Sequence, residues 1–559
     1  MTEAVRTYSL WFGALCLALA AFVYLDNTGS EHAATNPDEL LYLQIARLTA
    51  ETGHWLPLQA TEVKHRNTKP PGLFWQGIAT TGWGGHWELW RLRFPNALFS
   101  VLTAAMAFFA ARKLGGSFSA GTVAALSYLA FLGVYRHGRV FLTSAPETFW
   151  LFLPFFVLLM LRSARITWAS SISFGLIIGV GLLYKSFAMV IPSAAALGWW
   201  ALRQRGYKLS EWVTRDVPKL ALLGILAVAV FGLWFALDPQ RQFILDDFVL
   251  KENVGKFDAD EEGYLATALW GKHSIWQYAA GWLTNAGLVA PLVLAVFVLA
   301  WRNRRQMSAP EQLLWIWIIT LFVFHLFPNL RYERYLLPAM PAVAVLCALY
   351  WDRVPRWVLA ITLTASLIAC LALLGGAILL AKQLAGFKAY SAIDWLILGA
   401  ICTICAAGMV RHEWIRPLAL PSVLLVYLGF TLFLRPFDGP IGAFAEDAVA
   451  AARGRSVVLP APFTARDEIY RILLPGADVE RIREKDLPSA LADQSNRMFI
   501  LSISLDAPQE LPGFRTLGRR LNLRDYFNGE ETADMLRGNV AKHLFAWDLL
   551  VERVPSVAP

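Results

Sequence analysis

The chain has 559 residues, 57% of them hydrophobic and only 16% charged, with a mean hydropathy of +0.46 and a formal net charge of +8. A soluble domain is about half apolar with about a quarter of its residues charged, so this composition excludes an ordinary soluble enzyme and points to a polytopic membrane protein. Residues 435–559 hold 16 basic and 18 acidic side chains. The positive excess therefore lies in the short loops of the apolar part, where it sets topology, and no nucleic-acid partner is needed to explain it.

Windows of about 20 apolar residues give about thirteen spans, centred near residues 17, 102, 127, 154, 175, 194, 228, 292, 319, 344, 369, 401 and 425. The first, roughly Tyr8 to Leu25, lacks a convincing small-residue cleavage site and is expected to stay as an anchor. Arg112-Lys113, Arg162/Arg165, Arg203/Arg205/Lys208/Arg215, Arg302/Arg304/Arg305, Arg353/Arg356 and Arg411/Arg416 all fall on one side. The positive-inside rule makes that side cytoplasmic. An odd number of spans then puts the amino terminus inside and the carboxyl terminus outside. Residues 1–434 form the membrane domain, with external loops at 26–95 and 238–282, and residues 435–559 form an external domain.

The first loop opens on Thr35-Asn36-Pro37-Asp38-Glu39. Asn36 suits an N-cap, Pro37 the first helical position, and Glu39 a capping box. Leu41, Ile45 and Leu48 repeat at helical spacing, so this helix is expected to lie along the membrane surface on a greasy face. Acids in a first helical turn are ordinary partners of the macrodipole. Held at an interface, Asp38 and Glu39 can also meet a lipid headgroup or an acceptor. Further on, Lys64-His65-Arg66-Asn67-Thr68-Lys69 breaks at Pro70-Pro71-Gly72 before an apolar-aromatic run. Either this is a solvated turn, or the stiff prolines aim Lys69 at a phosphate as a compact charge.

Past the next spans, Arg139, Lys185, Arg331 and Arg334 are expected near outer span ends. A cation inside a membrane is costly enough to mark a functional candidate. Lys185 stands out, because Tyr184-Lys185 interrupts two apolar runs; its alternative is snorkelling to the headgroups. Asp247 to Phe257 and Arg331 to Pro338 are the remaining polar stretches beside spans, and His273 is the histidine best placed for a ligand or headgroup contact. The histidines show no HxxxH or HxH spacing, so they indicate no metal centre. All five cysteines (Cys16, Cys347, Cys370, Cys402, Cys405) fall in expected spans, as packing residues. In the tail, Ser456–Leu459, Arg497–Ile503 and Leu544–Val551 read as strands, and Asp467–Leu473 and Glu484–Asp493 as helices, which makes a small α/β unit.

The Pro37-Asp38-Glu39 acids, about thirty residues ahead of the Lys69-Pro70-Pro71-Gly72 turn with its Trp75, resemble the C-type (GT-C) glycosyltransferases. The likeness is greatest to the aminoarabinose transferases and their bacterial protein-mannosyltransferase-like relatives. Asp247-Phe248-Val249-Leu250-Lys251-Glu252-Asn253-Val254-Gly255-Lys256-Phe257 resembles that family's F-x-x-E-N-x-x-R-F stretch, and Arg331-Tyr332-Glu333-Arg334-Tyr335-Leu336-Leu337-Pro338 its R-Y-x-L-P signature. The resemblance implies a transferase that takes a sugar from a polyprenyl-phosphate donor in the outer leaflet of a bacterial inner membrane. The acceptor would be an envelope molecule, lipid A or a related glycolipid, or a protein.

Under that reading Asp38 is the base or acceptor-orienting group with Glu39 alongside. Lys69, Lys185 and Arg331, with Arg334 and Arg139, hold the phosphate. Tyr42, Tyr332, Tyr335, Glu252, Asn253, His273 and Glu147 are further contacts. Two positions depart from the family. Relatives often carry a Glu before the lysine that can take part in metal binding, and here it is Thr68, so neither a cofactor nor a resident divalent metal is assigned. An acid often follows the third span, where this chain has Ser144; Glu147 substitutes if a helix begins at Ala145. The rivals are a flippase for a lipid-linked sugar, which needs the cations but no base, and an envelope assembly protein working through its tail. No inverted repeat favours a transporter. A monomer is expected.

Overall fold

The structure is a computed structural model that describes residues 8–32, 36–60, 69–161, 165–255, 264–439, 441–460, 466–492, 497–524 and 528–554. Each of the thirteen expected span centres falls inside an α-helix. Among the described residues, seven helices are long and apolar enough to cross a membrane. An eighth is gained if Phe118–Ala130 and Leu132–Gly138, bent by 64° at Phe131, count as one span. Leu10–Leu25, Ser144–Met160, Trp168–Leu182 and Ala309–Phe324 are apolar but shorter. At 1.5 Å per residue a 16-residue helix reaches about 24 Å, short of a hydrocarbon core of about 30 Å.

The outer segments order themselves around these helices. α1 (Leu10–Leu25) starts where the Ser9 side chain accepts the Phe12 N–H. α2 (Pro37–Glu51) starts as its sequence dictates, with the Asn36 side chain accepting the Asp38 N–H at 3.0 Å. The expected capping box does not form, because the Glu39 carboxylate is drawn to Arg93 instead. α2 also does not rest on an open greasy face. Tyr42, Leu43, Ile45 and Ala46 are buried together with Leu73 and Phe74 of α3 (Gly72–Thr80) and Ile469 of the tail. Protein covers the surface that periodicity alone assigned to lipid. α4 (Leu89–Gly115) then leads into the bundle.

The tail is a five-stranded mixed sheet in the order β2-β1-β3-β5-β4, with β1 (Ser456–Pro460), β2 (Asp478–Ile482), β3 (Met498–Ser504), β4 (Phe514–Leu523) and β5 (Phe545–Arg553). β1 runs parallel to β2 and β3, whereas β5 is antiparallel to β3 and β4. The three expected strands are present and two more join them. Asp467–Leu473 is a helix as expected. The other expected helix is a 3-10 turn at Glu484–Asp486 followed by Leu487–Ala492, and Asp493 lies outside the described residues. The five cysteines are buried and unbridged.

Candidate functional site

A cavity of about 350 Å³ opens between the amino-terminal end of α2, the turn before α3, the turn at Lys185, the 244–254 segment and the Arg334 turn. Asp38 and Tyr42 stand four residues apart on α2, hence on one face, and both line it. Burial, with the Asp38 charge beside it, pushes the Tyr42 phenol well above its ordinary value, so it stays a protonated donor.

The Lys-Pro-Pro-Gly turn owes its place to Gly72. Its N–H donates to the Leu183 carbonyl at 2.9 Å, and a Cβ there would stand 2.8 Å from that oxygen. Only glycine lets the two backbones meet. The contact brings Lys69 and Lys185 to the same wall. The segment Ile244–Val254 is a π-helix, a wide turn that recurs at functional sites. Asn253 ties it down: its amide donates to the Phe248 carbonyl and its oxygen accepts the Ser186 hydroxyl, both at 2.7 Å. Glu252 is thereby held opposite Lys69.

Three ion pairs result. Arg334 donates to Asp38 at 2.8 Å, Lys185 to Glu147 at 2.7 Å, and Lys69 pairs with Glu252. The aromatic residues back the cations, with Lys185 4.9 Å from the Tyr335 ring centre and Arg334 5.3 Å from that of Tyr332. The Asp38 and Arg334 side chains keep 43% and 29% of their exposure, so both are reachable from the cavity. Lys69, Lys185 and Arg334 provide donors for a phosphate, and Asp38 is a carboxylate beside them.

Of the residues singled out in the sequence, Asp38, Tyr42, Lys69, Lys185, Glu252, Asn253, Tyr332, Arg334 and Tyr335 line the cavity. Five do not. Glu39 is buried, accepting from Arg93 Nε and Nη2 and from the Phe141 N–H, each at 2.7 Å. Both its oxygens are engaged, so it anchors α2 and does not line the cavity. Arg139 donates to the carbonyls of Tyr24 and Asp26. Arg331 donates to those of Leu326 at 3.0 Å and His273 at 3.1 Å. Both guanidiniums organise backbone turns and stand outside the cavity lining. The His273 ring packs on Tyr332 with centroids 4.6 Å apart. Glu147 lies in the first turn of a helix that begins at Ser144, one residue earlier than expected. It pairs with Lys185 behind the cavity wall, whereas Ser144 lines the cavity itself.

Sequence reasoning missed Ser186 and His325, which line the cavity as well. His325 Nδ1 lies 3.0 Å from the Leu321 carbonyl, an acceptor only, so that nitrogen carries the proton. Ser186 was legible as the N-cap after Lys185; nothing local marked His325. His65 and Thr68 lie outside the described residues. Among the described residues no three His, Cys, Asp or Glu side chains converge as a metal site would require.

Comparisons with known proteins place this fold among familiar ones. A family model described as dolichyl-phosphate-mannose-protein mannosyltransferase matches residues 33–241. The undecaprenyl phosphate-alpha-4-amino-4-deoxy-L-arabinose arabinosyl transferase 2 of Pseudomonas fluorescens (strain Pf0-1) is 25% identical over 348 residues, 60% of this chain and 59% of its own. The corresponding arabinosyl transferase of Pectobacterium atrosepticum is 23% identical over 322 residues, 56% of this chain and 54% of its own. These matches thus span less than two thirds of the relatives' length. The crystal structure of ArnT from Cupriavidus metallidurans bound to undecaprenyl phosphate aligns over 100% of both chains with a TM-score of 0.63 at 17% identity. Its apo form aligns over 98% of both chains with a TM-score of 0.61 at 16% identity. The resemblance to C-type glycosyltransferases therefore holds in sequence and in fold.

Proposed function

We propose that this chain, which has the C-type glycosyltransferase fold, transfers a glycosyl unit from a polyprenyl-phosphate donor to an envelope acceptor, with inversion at the anomeric carbon. The observation that carries this reading is the grouping of Lys69, Lys185 and Arg334 in one cavity with Asp38. The acceptor hydroxyl attacks the anomeric carbon and forms the new C–O bond as the bond to the phosphate oxygen breaks. The phosphate leaves with the electron pair, and the three cations stabilise that developing charge. Asp38 takes the hydroxyl proton. Arg334 partners Asp38 before the donor arrives and turns to the phosphate afterwards, which frees the carboxylate for the acceptor.

In this reading the enzyme sits in the bacterial inner membrane through about thirteen spans. The amino terminus is cytoplasmic, residues 1–434 form the membrane domain, and 435–559 form a periplasmic domain on the side of the cavity. Lipid A or a related glycolipid is the acceptor we favour, on the likeness to arabinosyl transferases. A protein hydroxyl is the second reading, favoured by the match to protein mannosyltransferases. The test is transfer by the purified chain from a polyprenyl-phosphate sugar, paired with mass spectrometry of lipid A and glycoproteins from a deletion strain. A sugar missing from one fraction names the acceptor; an unchanged envelope and no transfer in vitro refute the reading.

A further inference from the structure

Two buried polar contacts join the tail to the first external segment, one on each side of Asp38. After it, Arg47 of α2 donates to Glu468 through Nε at 2.9 Å and Nη2 at 2.6 Å, and the Glu468 side chain is fully buried. Before it, Glu31 accepts from Arg520 Nη1 at 2.6 Å and Nη2 at 2.9 Å, and the Arg520 side chain is fully buried too. The two contacts belong to one network. The helix Asp467–Leu473 carries both Glu468 and Tyr470; the Tyr470 hydroxyl donates to Asp548 of β5 at 2.5 Å, and Asp548 also accepts from Arg520 Nε at 3.2 Å. Between those residues, Ile469 sinks into the apolar cluster built on Tyr42, Leu43 and Ile45.

We infer that the tail is part of the framework of the reacting site, and that Glu468, acting through Arg47, is a positioning residue that fixes where α2 holds Asp38. This rests on the functional reading above for the role of Asp38. A guanidinium bound side-on by a carboxylate is fixed in direction as well as distance. Without the Glu468 charge, Arg47 keeps only Glu51 of α2 itself, 2.6 Å away, so the guanidinium stays on the helix but no longer ties the helix to the tail. α2 is a stiff rod between Asp38 and Arg47, and a shift at one end is felt at the other. Neither Glu468 nor Arg47 lines the cavity, so any effect on transfer must pass through placement.

The experiment compares full-length wild type, Glu468→Gln and Glu468→Asp for kcat, KM, polyprenyl-phosphate affinity by titration, unfolding temperature and amide hydrogen exchange. Glu468→Gln is expected to lower kcat by about 10²-fold, the scale of an ångström-size misplacement. Phosphate affinity should stay at the wild-type value, exchange should speed up across Pro37–Glu51 while the sheet stays protected, and Glu468→Asp should recover most of the loss. Wild-type kcat in Glu468→Gln overturns the inference. So does a loss of kcat matched by lost phosphate affinity and general unfolding. If wild type itself transfers no sugar, the functional reading fails, and the exchange of α2 still decides the positioning claim: faster exchange supports it and unchanged exchange ends it.

Discussion

The 2.8 Å contact from Arg334 to Asp38 engages the carboxylate that the proposed transfer would use as its base. Among the described residues, the three cations that line the cavity are each paired with a carboxylate, so a phosphate bound there would compete with those side chains. Asp38→Asn is therefore expected to reduce transfer on the order of 10²–10⁴-fold, the usual cost of losing a general base. It should leave polyprenyl-phosphate affinity undiminished, because it removes a competitor for Arg334. Near wild-type turnover in purified Asp38→Asn would remove the base from the mechanism. Lys69→Ala and Lys185→Ala should each weaken polyprenyl-phosphate binding by about 1.5–3 kcal/mol if each makes a charged hydrogen bond to it. Titration of the lipid phosphate checks this, and Lys69→Ala combined with Glu252→Ala separates lost phosphate contact from a stranded carboxylate. Thr68 stands where relatives can offer a metal-binding Glu, so treatment with EDTA is expected to leave turnover largely intact. A stoichiometric metal ion in the purified protein, with activity lost on chelation, would reverse that expectation.

At the scale of the elements, α2 shows how a local pattern is reused. Its spacing of apolar residues suits a surface helix, yet α3 and the tail cover it, and it becomes a strut between the cavity and the tail sheet. The Glu31–Arg520 contact on the amino-terminal side of that strut carries a pH signature. Burial pushes the Glu31 carboxyl up, but the charge and hydrogen bonds of Arg520 outweigh it and hold the group below its ordinary 4.5. A carboxyl depressed on folding contributes stability that is fully present above its unfolded value and is lost as pH falls through the folded value. Glu31→Gln should therefore lower the unfolding temperature at neutral pH, and the gap to wild type should shrink as pH drops below 4.5. A gap that stays constant through the acid range would show that the contact contributes packing rather than charge.

For the whole molecule, the alignment to the Cupriavidus metallidurans structures runs from end to end, tail included. The buried contacts from Glu468 and Arg520 to Arg47 and Glu31 place the sheet against α2 and the residues before it. Sheet and cavity thus share one face of the bundle. A reporter placed after Val554 should be active only outside the cytoplasm. A cytoplasmic signal would mean an inverted chain with its amino terminus outside, because the contacts keep the cavity and the tail on one face.

Hydropathy determined the helical bundle by itself, because a span needs only length and apolar composition, and both are written locally. The motifs likewise marked Asp38, Lys69, Lys185, Arg334 and the tyrosines. The tail was legible where strands are buried in mid-sheet, as in β1, β3 and β5. It was not legible at the edge strands β2 and β4, whose charged, half-exposed residues look like loop. The tertiary structure alone decided which charges face the cavity. Arg139 and Arg331 have the same local setting as Lys185, an isolated cation beside apolar runs. Arg139 and Arg331 donate to turn carbonyls away from the cavity, however, whereas Lys185 meets a buried acid and an open wall. Glu39 differs from Asp38 by one helical position, about 100° of rotation, and that rotation sends one carboxylate into the protein and the other into the cavity.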